Sequence, residues 1–262
     1  MALIAEPLHR CGLVESSWVR ASAASFPRHT HDELVLGANL SGHEHIWLDG
    51  MHLDVPPGAV TLYNPLAVQG STFGPEGVEY ISLHLDVSAL QRLMGDNNLG
   101  PTQGCPTFEQ GVLQHATLYR SIVDFAAAPS EAEQEAALLQ LLAELFAQDP
   151  VASGEQAPAI EQSVKFMRAH VDERLALDQL AQAAQMSKFH FVRCFKKAKG
   201  LGPLQYHMQL RLIEARRRLR AGAHPRDVAL ALGFYDQSHF INAFGRVMGV
   251  TPQAYCAAFR HA

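Results

Sequence analysis

The sequence predicts a multidomain α+β chain: an N-terminal antiparallel β-barrel with helices on its C-terminal side, then an all-α domain. Three observations predict it. Up to about residue 86 the chain reads as short strands punctuated by turns; it then becomes Ala- and Leu-rich to about residue 148; and its last hundred residues match themselves at a fixed offset. A length of 262 residues exceeds the usual single domain, so each part has its own core. The expected boundaries are 1–148 for the barrel and its helices, 149–158 for a linker, and 159–262 for the helical domain.

Charge separates the same two parts. From Glu161 to Ala262 there are 16 Lys and Arg against 7 Asp and Glu, a net of +9, whereas residues 1–160 hold 5 against 19, a net of -14. The total of -5 therefore conceals one region that attracts phosphate and one that repels it. No run of about 18 apolar residues occurs, and no basic N-terminal segment leads into an apolar one. No membrane partner is expected, and the cytoplasm is the expected compartment. Cys11, Cys105, Cys194 and Cys256 show no paired spacing, which argues against a zinc site or a disulfide framework.

In the first part, Leu34 to Ala38, Ile46 to Leu48, Ala59 to Leu62 and Tyr80 to Leu85 are strand-like. Ser41-Gly42, Asp49-Gly50, Pro56-Pro57-Gly58 and Gly74-Pro75 break them. Short strands without intervening helices make an antiparallel barrel or sandwich. Helices are predicted from Val112 to Ala126 and from Glu131 to Gln148, separated by Pro129-Ser130. Leu138, Leu141, Leu142 and Leu145 share one face of the second helix, which either packs on the barrel or forms a helix-to-helix dimer seam. Asp149 to Pro158, with two prolines, a glycine and small polar residues, is the expected linker.

The last part contains a unit that occurs twice. His190 matches His239, Phe195 matches Phe244, Lys197 matches Arg246 and Tyr206 matches Tyr255, all 49 residues apart. Gly200-Leu201-Gly202-Pro203 aligns with Gly249-Val250-Thr251-Pro252 at the same offset. Upstream the offset is 48, pairing Met186 with Phe234, so the second copy carries one extra residue near its turn.

Each copy reads as helix, turn, helix. The first uses Leu177, Leu180, Ala181 and Ala184 on one face, Ser187 as N-cap, and Phe191, Cys194 and Phe195 turned inward. In the second, Val228, Ala229 and Leu232 precede Gly233 in the turn, Asp236 is the N-cap, and Phe240, Ala243 and Phe244 face inward. The outer faces hold cations and amide or hydroxyl groups that can meet base edges and phosphates, as a helix in the major groove must. Between the copies, Pro203 opens a helix to about Ala221, with Tyr206, Leu210 and Ile213 inward and Arg211, Arg216, Arg217, Arg218 and Arg220 available for other contacts. Nineteen residues make a rod of roughly 28 Å. One turn of duplex is about 34 Å, so two recognition helices on such a rod can enter successive major grooves.

The combination Ser187-Lys188-Phe189-His190-Phe191 to Phe195-Lys196-Lys197, Gly233-Phe234 to Ser238-His239-Phe240, and Gly249-Val250-Thr251-Pro252-Gln253-Ala254-Tyr255 resembles the AraC/XylS family of bacterial transcription regulators over roughly residues 160 to 260. The resemblance implies a sequence-specific regulator, expected to act as an activator, with double-stranded promoter DNA, RNA polymerase and a small-molecule effector as partners, a homodimeric assembly and no cofactor. It implies base contacts from Phe189, Val192 and Arg193 in the first recognition helix, and from Gln237, Ser238, His239 and Asn242 in the second. Phosphate contacts would come from Ser187, Lys188, Lys196, Lys197 and Arg246. Two positions depart from the pattern: Val192 can reach only a thymine methyl, and Asn242 stands where an arginine can occur. Arg193 is thus the strongest candidate for direct readout, and the alternative for Phe189 is packing against the neighbouring helix.

In the first part, His29-Thr30-His31-Asp32-Glu33 followed by Gly42, and Asn64-Pro65 followed by Val68-Gln69, resemble the two motifs of a cupin barrel. Metal-dependent cupins usually place a histidine near the last position, which here holds Gln69. No resident metal is therefore expected. His29, His31 and Glu33 lie at alternate strand positions and either shape a small-molecule pocket or satisfy one another, with Trp47, Tyr63, Gln69 and His84 as further lining candidates. No catalytic constellation is visible, and no enzyme is expected. Two rival readings stay open: a metal-dependent cupin enzyme fused to a helical domain, and a constitutive regulator whose barrel only dimerises.

Overall fold

The computed structural model describes residues 2–5, 9–11, 14–88, 90–92, 107–147 and 158–259. Residues 1–25 and 30–153 cluster as one compact unit, and residues 154–262 with the segment 26–29 as another. Residues 149–157 of the expected linker lie outside the described residues, and Pro158 opens a helix.

The first unit, with the segment 26–29 that its small sheet takes up in β4, is built on antiparallel strands: β1 (Ala2–Ala5), β2 (His9–Cys11), β3 (Val14–Ser22), β4 (Ser25–His29), β5 (Leu34–Ser41), β6 (Glu44–Leu48), β7 (Met51–Val55), β8 (Val60–Tyr63), β9 (Gln69–Phe73), β10 (Val78–Leu85) and β11 (Gly111–Leu113). One sheet runs β1-β3-β10-β5-β8-β11, with β2 also on β3, and a smaller one runs β4-β9-β6-β7. Asp49 and Gly50 close the β6–β7 hairpin with φ of 44° and 99°. Both central residues are left-handed, the turn whose twist matches that of the flanking strands.

Side-chain alternation gives the large sheet two faces. Leu34, Leu36, Leu83 and Leu85 pack with Leu118, Ile122 and Phe125 of α1 (Ala116–Ala127) and with Leu138, Leu141, Leu142 and Leu145 of α2 (Glu131–Phe146). The leucine stripe is therefore spent on the barrel, and the dimer seam it also allowed is not formed by those residues. The opposite face turns Val35 and Tyr63 toward Ile46, Leu48 and Val55 of the small sheet.

The helix expected from Val112 starts later than expected. Val112 and Leu113 extend the sheet by pairing with Thr61 and Val60, and α1 begins only after His115, whose ring nitrogen accepts from the Leu118 N–H at 3.1 Å. A short apolar run fits either period, and the vacant edge of β8 decides it. Strands β1 and β2 lie before the region expected to hold strands, and β11 falls where a helix was expected to begin.

The second unit is helical: α3 (Pro158–Ala169), α4 (Leu177–Ala183), α5 (Lys188–Lys199), α6 (Pro203–Arg220), α7 (Pro225–Ala231), α8 (Gln237–Met248) and α9 (Pro252–Phe259). The duplication recurs in three dimensions. Gly200 and Gly249 end α5 and α8 at φ of 69° and 72°, the left-handed cap that a glycine takes at least cost. Phe191, Phe195 and Tyr206 form an edge-to-face ladder with centroids 5.4 Å apart at each step, and Phe240, Phe244 and Tyr255 repeat it at 5.6 and 5.5 Å. These rings are among the most buried in the chain. They fix each recognition helix against its own scaffold.

Two of the arginines expected to be available on α6 are buried. The Arg211 guanidinium donates to the Leu232 carbonyl, from Nε at 2.7 Å, and lies 4.6 Å from the Phe234 ring. Arg216 Nε donates to the Tyr255 hydroxyl at 3.4 Å. The central helix is packed on several sides, so cations at its inward positions must bond to backbone and ring acceptors. Arg217 and Arg218 instead pair with Glu214 at 2.7 Å, and these two hydrogen-bonded partners hold its carboxyl below the usual carboxylate range.

Candidate nucleic-acid interface and barrel interior

The first helix-turn-helix consists of α4, a turn and α5. Leu180, Ala181 and Ala184 are buried as expected, while Leu177 is half-buried. At the turn, Gln185 takes φ of 53°. Ser187 occupies the N-cap position, but its side chain makes no capping hydrogen bond, contrary to the expected role. On the outer face of α5, Lys188, Phe189, Val192, Arg193, Lys196 and Lys197 line one groove of about 570 Å³. Phe189 is 92% exposed, so it is not packed against the neighbouring helix. Lys188 pairs with Asp178 at 2.8 Å, and Arg193 Nη2 lies 3.4 Å from His190 Nδ1. Thus one surface brings together every residue of the first copy singled out for DNA, except Ser187 at its edge.

The second copy uses α7, a turn at Gly233 with φ of 65°, and α8. Asp236 caps α8 by accepting from the His239 N–H at 2.6 Å. Gln237, Ser238, His239, Asn242 and Arg246 are all exposed. His239 Nδ1 faces the Tyr235 N–H at 3.4 Å and its ring meets Phe234 edge-on at 5.6 Å, which leaves its Nε2 side outward. The extra residue of this copy is Tyr235, 78% exposed, with Arg174 5.7 Å from its ring. No role was read for it; the one-residue change of offset was its signal.

Cross-strand partners share a face of a sheet, so the register shows what lines the barrel. His84 lies opposite Val35 on β5 and Glu15 on β3, and Val35 points into the space between the sheets. Glu33, two residues before Val35, joins them. His31 Nδ1 and His84 Nδ1 stand 3.8 and 3.9 Å from Glu33 Oε2, and the two imidazoles meet edge-on at 4.8 Å. The expected row of His29, His31 and Glu33 is not what assembles: His29 Nδ1 is 2.7 Å from the Pro27 carbonyl, and His84 takes its place beside the other two. Trp47, on the face of β6 opposite to Ile46 and Leu48, also stands outside this row.

A second polar group sits on the same side. Burial pushes the Glu44 carboxyl up to about 7, opposed by a hydrogen bond from Ser71. Burial and the Glu44 charge together hold the Tyr63 and Tyr80 phenols well above their usual value. Tyr80 stacks on Phe73 at 6.0 Å. Gln69 Oε1, Asn39 Oδ1 and His84 Nδ1 are buried without a hydrogen-bond partner. Such atoms cost free energy unless something else supplies their bonds. Among the described residues, the buried carboxylates of the barrel are Glu15, Glu33 and Glu44, and no Lys or Arg there is buried. Glu15, Glu44, Tyr80 and Asn39 were missed in the sequence, since only pairing register reveals which alternate positions share the interior.

Comparison with known proteins agrees with this geometry. Residues 19–148 match the model of an AraC-like ligand binding domain, and residues 180–258 match that of a helix-turn-helix domain. The chain is 28% identical over 241 residues to the uncharacterized HTH-type transcriptional regulator YbfI of Bacillus subtilis, covering 86% of this chain and 85% of that protein. It is 36% identical over 91 residues to the MmsAB operon regulatory protein of Pseudomonas aeruginosa, covering 34% of this chain and only 30% of that regulator. Wild-type ToxT from Vibrio cholerae, crystallised with an unsaturated fatty acid, shares the fold with a TM-score of 0.59 at 9% identity, over 96% of this chain and 97% of that one. A ligand-binding barrel followed by paired helix-turn-helix units, with relatives that regulate transcription, places this chain in the AraC family of transcription regulators.

Proposed function

We propose that α5 and α8 read two successive major grooves of a promoter, and that an effector held in the barrel biases this binding. Arg193 and Val192, with Phe189, meet base edges in the first groove; Gln237, Ser238, His239 and Asn242 do so in the second. Ser187, Lys188, Lys196, Lys197 and Arg246 neutralise phosphates and fix the register. The observation that carries this reading is the duplicated aromatic ladder, which presents both outer faces from equivalent scaffolds.

The barrel interior supports a ligand. Two buried polar atoms without hydrogen-bond partners, on Gln69 and Asn39, offer it hydrogen bonds. The lining offers carboxylates, imidazoles and amides, so we infer a small polar effector held by hydrogen bonds, unlike the unsaturated fatty acid with which ToxT was crystallised. Control of initiation brings RNA polymerase as a partner, the protein acts as a homodimer in the cytoplasm, and the barrel serves as a sensor rather than an enzyme. No described helix is long and apolar enough to cross a membrane.

Footprinting of the full chain on genomic promoter fragments tests the reading. Two protected segments on one face, about one helical turn apart and weakening steeply with salt, are expected. A single protected segment, or salt-insensitive binding, overturns it.

A further inference from the structure

We propose that His31, Glu33 and His84 bind one divalent first-row transition-metal ion inside the barrel. The three donor atoms lie within 4.8 Å of one another, and all three side chains are largely buried. Two imidazoles and one carboxylate are a ligand set that suits such an ion. Around a four-coordinate ion with bonds near 2.1 Å, donors sit about 3.4 Å apart. The two distances to Glu33, 3.8 and 3.9 Å, are within about half an ångström of that spacing, a gap that side-chain rotation closes.

Two further observations point the same way. His84 Nδ1, the atom facing Glu33, is buried with no hydrogen-bond partner. Its other nitrogen, Nε2, lies 3.2 Å from Ser82 Oγ. When Nε2–H donates to that hydroxyl, the Nδ1 lone pair is left pointing at the carboxylate, the arrangement that outer hydrogen bonds impose on metal-bound histidines. Across the ladder, Glu15 adds a second buried carboxylate beside His84, so the surroundings favour a cation.

The site differs from the pattern suggested by the sequence. Gln69 stands where metal-dependent cupins place a histidine, and His29 turns to the Pro27 carbonyl instead. The third ligand comes from β10, which pairs directly with β5 beside Glu33. Three protein donors leave at least one coordination position for water or for a donor atom of the effector. The inference does not depend on the DNA contacts proposed above.

The test uses the full chain, freed of metal with a chelator and titrated with Co²⁺ while its visible absorption is followed. One equivalent is expected to bind with d–d bands of a low-coordinate nitrogen and oxygen site, and Zn²⁺ is expected to displace it. His84→Asn and Glu33→Gln, close in shape to the native residues, are each expected to weaken binding at least about tenfold. The exposed group of His43, His45 and Asp54, with both imidazoles 3.1 Å from the carboxylate, is the competing surface site. A His43→Ala/His45→Ala double variant is expected to retain the full signal. Absence of stoichiometric uptake overturns the proposal, as does a signal kept in His84→Asn or Glu33→Gln, or lost in the double variant. A His84→Asn chain that fails to show a cooperative thermal transition is replaced by Glu33→Gln, and the spectrum of the wild-type complex must in any case show nitrogen ligation.

Discussion

Gln185 and Gly233 occupy the same backbone position 48 residues apart, with φ of 53° and 65° at the turn of the two units. Glycine takes that region freely and other residues take it at a cost of about 1–2 kcal/mol. A Cβ at Gly233 would also come within 3.0 Å of the Asp172 carbonyl and 3.1 Å of Arg211 Nη2. Gly233→Ala is therefore expected to destabilise the chain by about 1–3 kcal/mol, and Gln185→Gly to leave stability level or raise it by up to about 1 kcal/mol. Urea unfolding of both variants checks the asymmetry, and equal losses would contradict it.

The two N-caps are similarly unequal. Asp236 accepts a short hydrogen bond from the His239 N–H, whereas the Ser187 side chain accepts none from its helix. Asp236→Ala is expected to cost about 1 kcal/mol of stability. Ser187→Ala is expected to leave the melting temperature in place while lowering affinity for every duplex, because its hydroxyl is free to meet a phosphate. A Ser187→Ala chain with lower stability and normal DNA binding would reverse the assignment.

Arg193 and Lys197 line the same groove, and the proposed complex gives them different parts of the duplex. Arg193→Ala is expected to weaken binding to the cognate site by about 1–3 kcal/mol, concentrated at one base pair. Lys197→Ala is expected to weaken cognate and random duplexes alike and to lower the salt dependence by about one ion. Anisotropy titrations on a panel of point-substituted operators separate the two, and a uniform loss for Arg193→Ala would rule out direct readout there.

His207 gives the helical unit a defined response to acid. Burial lowers its imidazole from 6.5 to about 4, against a hydrogen bond to the His170 carbonyl. An unfolded chain takes up this proton as pH falls below about 6.5, whereas the folded chain resists until about 4. The stabilisation is thus complete above pH 6.5 and is lost as pH falls toward 4, by up to about 1.4 kcal/mol per pH unit. His207→Gln, which keeps an N–H donor, is expected to flatten that part of the pH–stability curve. An unchanged acid slope in denaturant titrations would exclude His207 as its source.

What the sequence made legible follows from periodicity. The 49-residue offset located both recognition helices, their N-terminal residues and the ring positions of the ladder, because each is a local helical pattern. Arg211 and Arg216 were misplaced, since a helix packed on several sides offers no polar stripe to read. In the barrel, His31 and Glu33 were visible as alternate residues. Their joining by His84 rather than His29 was not, because it depends on which strands pair across about fifty residues. Glu44 was hidden for the same reason: a carboxylate at a strand end ordinarily signals solvent.

The rod α6 touches the helices of both units, and its inward arginines are bonded to Leu232 and Tyr255 rather than left mobile. In the proposed complex the angular phase between the two reading helices is thereby held by a side-chain core. An operator lengthened by half a helical turn between its two elements would present the second on the far side of the duplex, beyond reach, whereas a change in sequence between them would matter little.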